Sequence, residues 1–236
     1  MRKNRHIVLL LAAGKSTRMG GSRPKQYMEV DGESILLHTM LAFQKHPLIN
    51  DIYVACRPEW EATVIEEAGK GKINKFRGAI YGGDTAFHTI CNGIDYIIKR
   101  YAPDDMLLVH DAVRPLVSQG IISQSIDVCS AHGNSITALA SQEALIVSKD
   151  GHASDGFIPR ENLYRAQTPH TFHVRTLHQI ATAIQTSQIS YSQSLFTLAN
   201  EAGISPLYIA QGEMLNFKIT HPADVLLYKA LKDTEN

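Results

Sequence analysis

Long apolar runs are missing from this chain of 236 residues. The most apolar stretch near the N-terminus, Ile7 to Ala13, is far shorter than the roughly 20 residues that a membrane-spanning helix needs. Arg2, Lys3 and Arg5 before it mimic the start of a secretory signal, but a basic glycine loop follows where a small-residue cleavage site would stand. Cysteine is scarce. The three, Cys56, Cys91 and Cys129, are odd in number and far apart, which excludes a disulfide framework and a paired-cysteine zinc site. Reduced, buried thiols in a cytoplasmic protein are the expectation. Net charge is lacking too, with 23 basic and 23 acidic residues, so no global field draws the chain to nucleic acid or to an anionic membrane. What is there, 44% hydrophobic and 19% charged residues, suits an ordinary globular protein with room for one α/β domain and a substantial core.

The apolar pattern alternates between two kinds. His6 to Ala13 is continuous and ends in glycine, as a strand buried on both faces does. Leu36, Met40 and Phe43 have helical spacing within Ile35 to Phe43. Ile52 to Cys56 reads as a strand, Pro58 opens a helix, and Phe76 to Tyr81 is again a strand. Ile90, Ile94 and Ile97 line one face of a helix; Met106 to Val109 is a buried strand, Ile121 to Ala131 a helix and Ser135 to Ala140 a strand. Such β/α alternation predicts a Rossmann-like, mostly parallel sheet with helices on both faces. The rhythm breaks after Ala140. Leu145 to Val147, the turn Lys149-Asp150-Gly151 and Gly156 to Ile158 predict a hairpin within an extended arm at about 141–165. Helices from Val174 and over Leu195 to Ala202, strands at Leu207 to Ala210 and Phe217 to Thr220, and a helix from Pro222 complete the chain. No internal repeat or linker is visible, so one domain carrying an inserted arm is expected.

The loop after the first strand reads Ala12-Ala13-Gly14-Lys15-Ser16-Thr17-Arg18-Met19-Gly20-Gly21-Ser22-Arg23-Pro24-Lys25. In an open parallel sheet, ligands bind beyond the carboxyl ends of the strands. Small residues there let backbone N–H groups approach phosphate oxygens. Lys15, Arg18, Arg23 and Lys25 add the charge that a triphosphate would need. Two rival motifs fail. A Walker A loop requires glycine where Leu9 stands, and a dinucleotide fingerprint requires glycine where Ser16 stands.

Ala12-Ala13-Gly14-Lys15-Ser16-Thr17-Arg18-Met19, followed by Pro24-Lys25-Gln26-Tyr27, resembles the signature loop of sugar-nucleotide and polyol-phosphate nucleotidyltransferases. The second element is similar to that of the methylerythritol phosphate cytidylyltransferases and their ribitol phosphate relatives. The likeness continues in order through Gly82-Gly83-Asp84, His110-Asp111-Ala112-Val113-Arg114-Pro115, Gln167-Thr168-Pro169 and Asn216-Phe217-Lys218-Ile219-Thr220. The resemblance implies a cytidylyltransferase that joins CTP to a polyol phosphate and releases pyrophosphate, with Mg²⁺ as cofactor and a homodimer as the assembly. It implies that Arg18, Lys25 and Lys218 act on the phosphates. Ala12, Ala13, Gly14, Gly82, Gly83, Asp84 and Thr89 would hold the nucleotide. Arg160, donated across a dimer interface by the arm, and Thr168 would hold the polyol phosphate.

Asp111 follows a buried run and therefore lies at a strand's carboxyl end, where a carboxylate can hold Mg²⁺ beside phosphates. An ion pair with Arg114 is the plainer alternative, and a turn into a helix capped by Asp84 is the plainer account of Gly82-Gly83-Asp84. His110 reads as scaffold. Three positions depart from the family: Ala86 replaces an arginine, Glu143-Ala144 replaces an Asp-Thr pair, and Tyr191-Ser192-Gln193-Ser194 replaces an acidic stretch. Methylerythritol phosphate is the default acceptor. Tyr164-Arg165 and Gly212-Glu213 look more like the ribitol phosphate branch. A CTP-binding module without turnover and a P-loop kinase are the competing classes, the latter weakened by Leu9.

Overall fold

The structure, a computed structural model, describes residues 2–16 and 23–232. In chain order its strands are β1 (His6–Leu11), β2 (Glu29–Val30), β3 (Glu33–Ser34), β4 (Asp51–Cys56), β5 (Phe76–Tyr81), β6 (Met106–Asp111), β7 (Asn134–Ala140), β8 (Leu145–Val147), β9 (Gly156–Ile158), β10 (Tyr164–His173) and β11 (Ile209–Gln211). The helices are α1 (Ile35–Lys45), α2 (Glu61–Lys70), α3 (Ala86–Ile98), α4 (Gln119–His132), α5 (Val174–Thr186), α6 (Leu195–Glu201) and α7 (Pro222–Lys232). Seven strands form one sheet in the order β11-β7-β10-β6-β1-β4-β5. β1 runs parallel to both β4 and β6, with Leu11 opposite Asp111. β10 alone is antiparallel to its neighbours. The expected mostly parallel sheet with helices on both faces is what the chain forms.

Alternation along the strands explains the layers, because successive side chains point to opposite faces. Val8, Leu10, Val54 and Leu108 face one way and pack with Met40 and Phe43 of α1 and Ile122 and Ile126 of α4. Ile7, Leu9, Ala55, Leu107 and Val109 face the other way, against Ile90 and Ile94 of α3, Leu177 of α5 and Leu195 of α6. Hydroxyl side chains start the helices: Ser34, Thr85, Ser118 and Ser194 each accept a hydrogen bond from a first-turn N–H. This satisfies donors that no helical carbonyl can reach. Thr85, not Asp84, therefore caps α3.

Two expectations are corrected, and one strand, β10, stands where the sequence pattern assigned no element. β10 lies in a stretch where proline argues against a strand. The sheet accommodates Pro169 at an irregularity, where the pairing with β7 shifts register between Ala166 and His170. Phe217 to Thr220 is extended but belongs to no sheet. Pro58 opens a short 3-10 turn, Pro58–Trp60, and α2 follows it. The hairpin is where its alternation and turn residues placed it: Leu145 pairs with Ile158 and Val147 with Gly156. Its apolar side chains are uncovered in the single chain, Ile146 at 71% and Phe157 at 75% exposure.

Candidate active site

A cavity of about 420 Å³ opens at the carboxyl ends of β1 and β6. The chain builds outward from β1 through β4 and β5 on one side and through β6 on the other, so this is the switch point where open α/β sheets bind ligands.

The first wall is the loop after β1. Its geometry depends on Gln26, which is 3% exposed. The Gln26 amide donates to the carbonyls of Ala12 at 2.6 Å and Gly14 at 3.0 Å. Its oxygen accepts from Ser16 Oγ at 3.3 Å, and Ser16 Oγ accepts from the Lys25 N–H at 2.9 Å. Tyr27 stacks on Trp60 at 4.4 Å between ring centroids. The 3-10 turn Lys25–Tyr27 is thus pinned on both sides, and Lys25, 9% exposed, lines the cavity. Tying back two loop carbonyls also lowers the negative potential that an incoming anion meets. Gln26→Leu would take the amide donor from the Gly14 carbonyl and leave the Ala12 carbonyl with only the Tyr27 hydroxyl at 3.4 Å, at about 1–3 kcal/mol for a carbonyl left unpaired. The expected outcome is triphosphate binding weakened about tenfold, read by calorimetric titration, with the fold retained by circular dichroism.

The facing wall is Gly83, Asp84, Thr85, Ala86 and Thr89. A side chain at Gly82 would collide with Ala13 across the two walls, and one at Gly83 with His88 in the first turn of α3; close approach of the walls demands the first glycine and the tight entry into α3 the second. The Thr89 hydroxyl donates within this wall, to the Thr85 carbonyl at 2.9 Å and the Gly83 carbonyl at 3.3 Å.

The third group comes from the end of β6. Asp111 Oδ1 accepts from Lys218 Nζ at 2.9 Å and Oδ2 from Arg114 Nε at 2.9 Å. Burial alone would raise this carboxyl, but the Lys218 ammonium and the Arg114 guanidinium outweigh it and hold Asp111 well below the usual carboxylate range. Arg114 Nη1 also donates to the Asn216 carbonyl at 2.7 Å. Asn216 Nδ2 donates to the Thr168 carbonyl at 2.9 Å, and Ile219 N–H to the Val113 carbonyl at 2.9 Å. These clamps, not sheet pairing, fix the segment that delivers Lys218.

His110 is buried, and burial pushes its imidazole down to about 3, so the ring is neutral. Its Nε2 lies 3.2 Å from the Arg114 carbonyl, which can only accept, and its Nδ1 lies 3.0 Å from Thr168 Oγ1. Nε2 therefore carries the proton and the Thr168 hydroxyl donates to Nδ1. That hydroxyl also accepts from the Asp111 N–H at 3.1 Å. His110 is scaffold, and Thr168 keeps only accepting capacity for a ligand.

The cavity brings together Ala13, Gly14, Lys25, Gly83, Asp84, Thr89, Asp111, Thr168 and Lys218. Ala12 lies behind the wall, its N–H given to the Ala55 carbonyl at 2.8 Å and its carbonyl taken by Gln26. Gly82 packs against Ala13, its N–H given to the Cys56 carbonyl at 2.7 Å, and does not line the cavity. Arg160 stands on the exposed arm within the 3-10 turn Arg160–Asn162 and does not line its own chain's cavity. Arg18 lies outside the described residues. Sequence reasoning gave no role to Gln26, left Arg114 as a mere alternative partner of Asp111, and passed over His170 and Phe196. Gln26 and Arg114 stood inside quoted motifs, which was the available signal; His170 and Phe196 carried none.

Among the described residues no three His, Cys, Asp or Glu side chains gather as a metal cage. Mg²⁺ does not require one, since it is commonly held by one or two carboxylates together with substrate phosphates. Both oxygens of Asp111 are taken by cations, so it could hold a metal that arrives with phosphates only where Lys218 gives up Oδ1 to them.

The sequence profile of the 2-C-methyl-D-erythritol 4-phosphate cytidylyltransferase family matches residues 6–232. A protein of that name from Geotalea uraniireducens is 32% identical over 98% of this chain and 98% of its own. A ribitol-5-phosphate cytidylyltransferase from Lacticaseibacillus paracasei is 29% identical over 94% of this chain and 95% of its own. The crystal structure of the 2-C-methyl-D-erythritol 4-phosphate cytidylyltransferase from Thermus thermophilus, 25% identical, superposes with a TM-score of 0.75 and covers 95% of this chain and 98% of that one. With the profile spanning nearly the whole length and the cavity at the expected switch point, the chain belongs to the 2-C-methyl-D-erythritol 4-phosphate cytidylyltransferase family.

Proposed function

We propose that this protein transfers CMP from CTP to a polyol phosphate, 2-C-methyl-D-erythritol 4-phosphate by default, with release of pyrophosphate. The observation that carries the reading is the meeting of Lys25 from the loop with Asp111 and Lys218 in one cavity. A phosphate oxygen of the acceptor attacks the α-phosphorus of CTP; the new P–O bond forms as the bond to the β-phosphate oxygen breaks, and pyrophosphate leaves with that electron pair. The chemistry asks the protein to align two anions and to stabilise the negative charge that grows between them. Lys25, with Arg18, serves the triphosphate. Lys218, exposed enough to leave Asp111, serves the acceptor phosphate and the α-phosphate. Ala13, Gly14, Gly83, Asp84 and Thr89 shape the nucleotide end, and Thr168 accepts from an acceptor hydroxyl. Arg160 reaches the acceptor from a second subunit, the uncovered arm being the dimer contact. Asp111 would hold Mg²⁺, which when bound neutralises phosphate charge. A cytoplasmic location fits the buried free thiols Cys56 and Cys129.

A second reading, ribitol 5-phosphate as acceptor, draws on Tyr164-Arg165, Gly212-Glu213 and the relative from Lacticaseibacillus paracasei. Pyrophosphate release with CTP and Mg²⁺, measured against both polyol phosphates side by side, tests the class and separates the acceptors. Release with neither, despite CTP binding, would leave the chain as a CTP-binding module.

Asp111→Asn keeps the shape and one accepting oxygen but removes the charge. The Mg²⁺ concentration for half-maximal activity is expected to rise about tenfold, the weight of one charge-assisted contact. An unaltered Mg²⁺ titration would remove Asp111 from the metal role and leave it as the anchor of Lys218 and Arg114.

A further inference from the structure

His170 lines the cavity yet has no part in the steps above. It stands on β10 opposite Val109 of β6, is 3% exposed, and its Nε2 is buried with no hydrogen-bond partner among the described residues. Native proteins rarely leave such an atom unpaired, because its lost hydration goes uncompensated. We infer that His170 reads a hydroxyl group of the acceptor's carbon chain, with Nε2 as the contact atom. The inference rests on the polyol phosphate reading and deepens it.

Three observations carry it. First, Val109 and Asp111 are two apart on β6 and line the cavity together, so the cross-strand partner of Val109 stands on the Asp111 face, roughly 7 Å along the strand. A phosphate held at Lys218 beside Asp111 would point its carbon chain along that distance, the reach of a short polyol. Second, Phe196 of α6 meets the His170 ring edge-on at 5.4 Å and lines the same end of the cavity with Ala166 and Leu195. Apolar side chains interleaved with uncharged polar ones, Gln193 and Ser194 among them, suit a carbon chain carrying hydroxyls and disfavour an anion. Third, the other ring nitrogen of His170 bonds the Gln167 backbone carbonyl, so in the neutral ring Nε2 is left as an acceptor, which a hydroxyl satisfies by donating and an ionised phosphate oxygen does not. Burial pushes the ring down to about 4, so no cationic imidazolium stands there to attract a phosphate near neutrality.

The test compares the wild-type enzyme with His170→Leu, His170→Asn and His170→Gln, using the polyol phosphate that the wild type accepts and its monodeoxy analogues. His170→Leu is expected to lower kcat/KM for the acceptor about 30-fold while the KM for CTP stays unchanged, since a site built to bond a hydroxyl discriminates strongly on it. One deoxy analogue should be poor for the wild type and no poorer than the parent acceptor for the variant. His170→Gln, which restores a donor and an acceptor, should recover much of the loss. If His170→Leu fails to fold, the shorter amide of His170→Asn and the wild-type deoxy series decide the same question. Equal loss toward CTP and acceptor, unchanged acceptor kinetics, or a deoxy penalty that persists in the variants would overturn the inference. A wild type silent with both polyol phosphates would sink the functional reading, and this inference with it. An active wild type with an indifferent His170→Leu sinks the inference alone.

Discussion

Lys25→Ala protein is expected to fold normally and to lose about a thousandfold in kcat, the effect of removing one preorganised donor aimed at developing charge. The fold should survive because the turn that carries Lys25 is anchored by its neighbours: Gln26 holds the Ala12 and Gly14 carbonyls, and Tyr27 stacks on Trp60. The backbone N–H of residue 25 still reaches Ser16 Oγ. The rate should fall because the ammonium is held nearly buried at the cavity wall, where a charge acts with little screening from water. Pre-steady-state release of pyrophosphate measures the effect, and a parallel thermal melt separates it from unfolding. Lys25→Arg should recover only part of the rate, since a planar fork does not replace a compact point charge in a fixed pocket. A kcat unchanged in Lys25→Ala would exclude the residue from catalysis.

On the proposed reading, the cation balance around Asp111 bears on how an acceptor phosphate would reach Lys218. Two cations share this one carboxylate. Arg114 is held a second time by the Asn216 carbonyl and is the poorer candidate to move. Lys218 is more exposed, and its ammonium is held by Asp111. An acceptor phosphate can therefore take Lys218 without dismantling the clamp on residues 216–220. Of the departures from the family pattern, Ala86, Gln193 and Ser194 line the cavity, while Glu143 and Ala144 lie on the exposed arm. Ala86 removes a positive charge from the nucleotide wall, and Lys15 on the opposite loop lines the same space.

Elements whose residues declare their own environment were legible in the sequence. β1 and β6 read as buried strands because both of their faces are apolar, and the arm hairpin read as a hairpin because alternation and turn residues agree. The position of Asp111 followed from the end of such a run. β10 was not legible. Its first half is polar, Pro169 interrupts it, and its place in the sheet comes from pairing with β6 and β7, strands distant in sequence. Residues 217–220 look like a strand because Phe217 and Ile219 alternate with Lys218, yet they are held by Asn216 and by the Val113 carbonyl. Gln26 and His170 were invisible as functional residues for a related reason. Their roles depend on atoms brought close by the fold, a carbonyl after β1 for one and a buried, unpartnered nitrogen at the cavity wall for the other.

Arg160→Ala and Lys25→Ala proteins, each inactive alone, should regain activity when their subunits are mixed. Arg160 is exposed on the arm and absent from its own chain's cavity, so a role in the acceptor site requires delivery by a second copy. The hairpin beside it carries Ile146 and Phe157 almost fully uncovered, an apolar surface that isologous pairing would bury. If each cavity takes Lys25 from one chain and Arg160 from the other, a mixed dimer has one cavity with both residues intact and one with neither. Random exchange at equal concentration makes half the dimers mixed, so about a quarter of the wild-type rate should return in a two-fold symmetric assembly. Co-expression under separate affinity tags, followed by isolation of the mixed dimer, should raise the recovery to about half by the same symmetry argument. No recovery in a mixture whose subunits have demonstrably exchanged would place Arg160 outside the acceptor site and leave the arm as a contact surface alone.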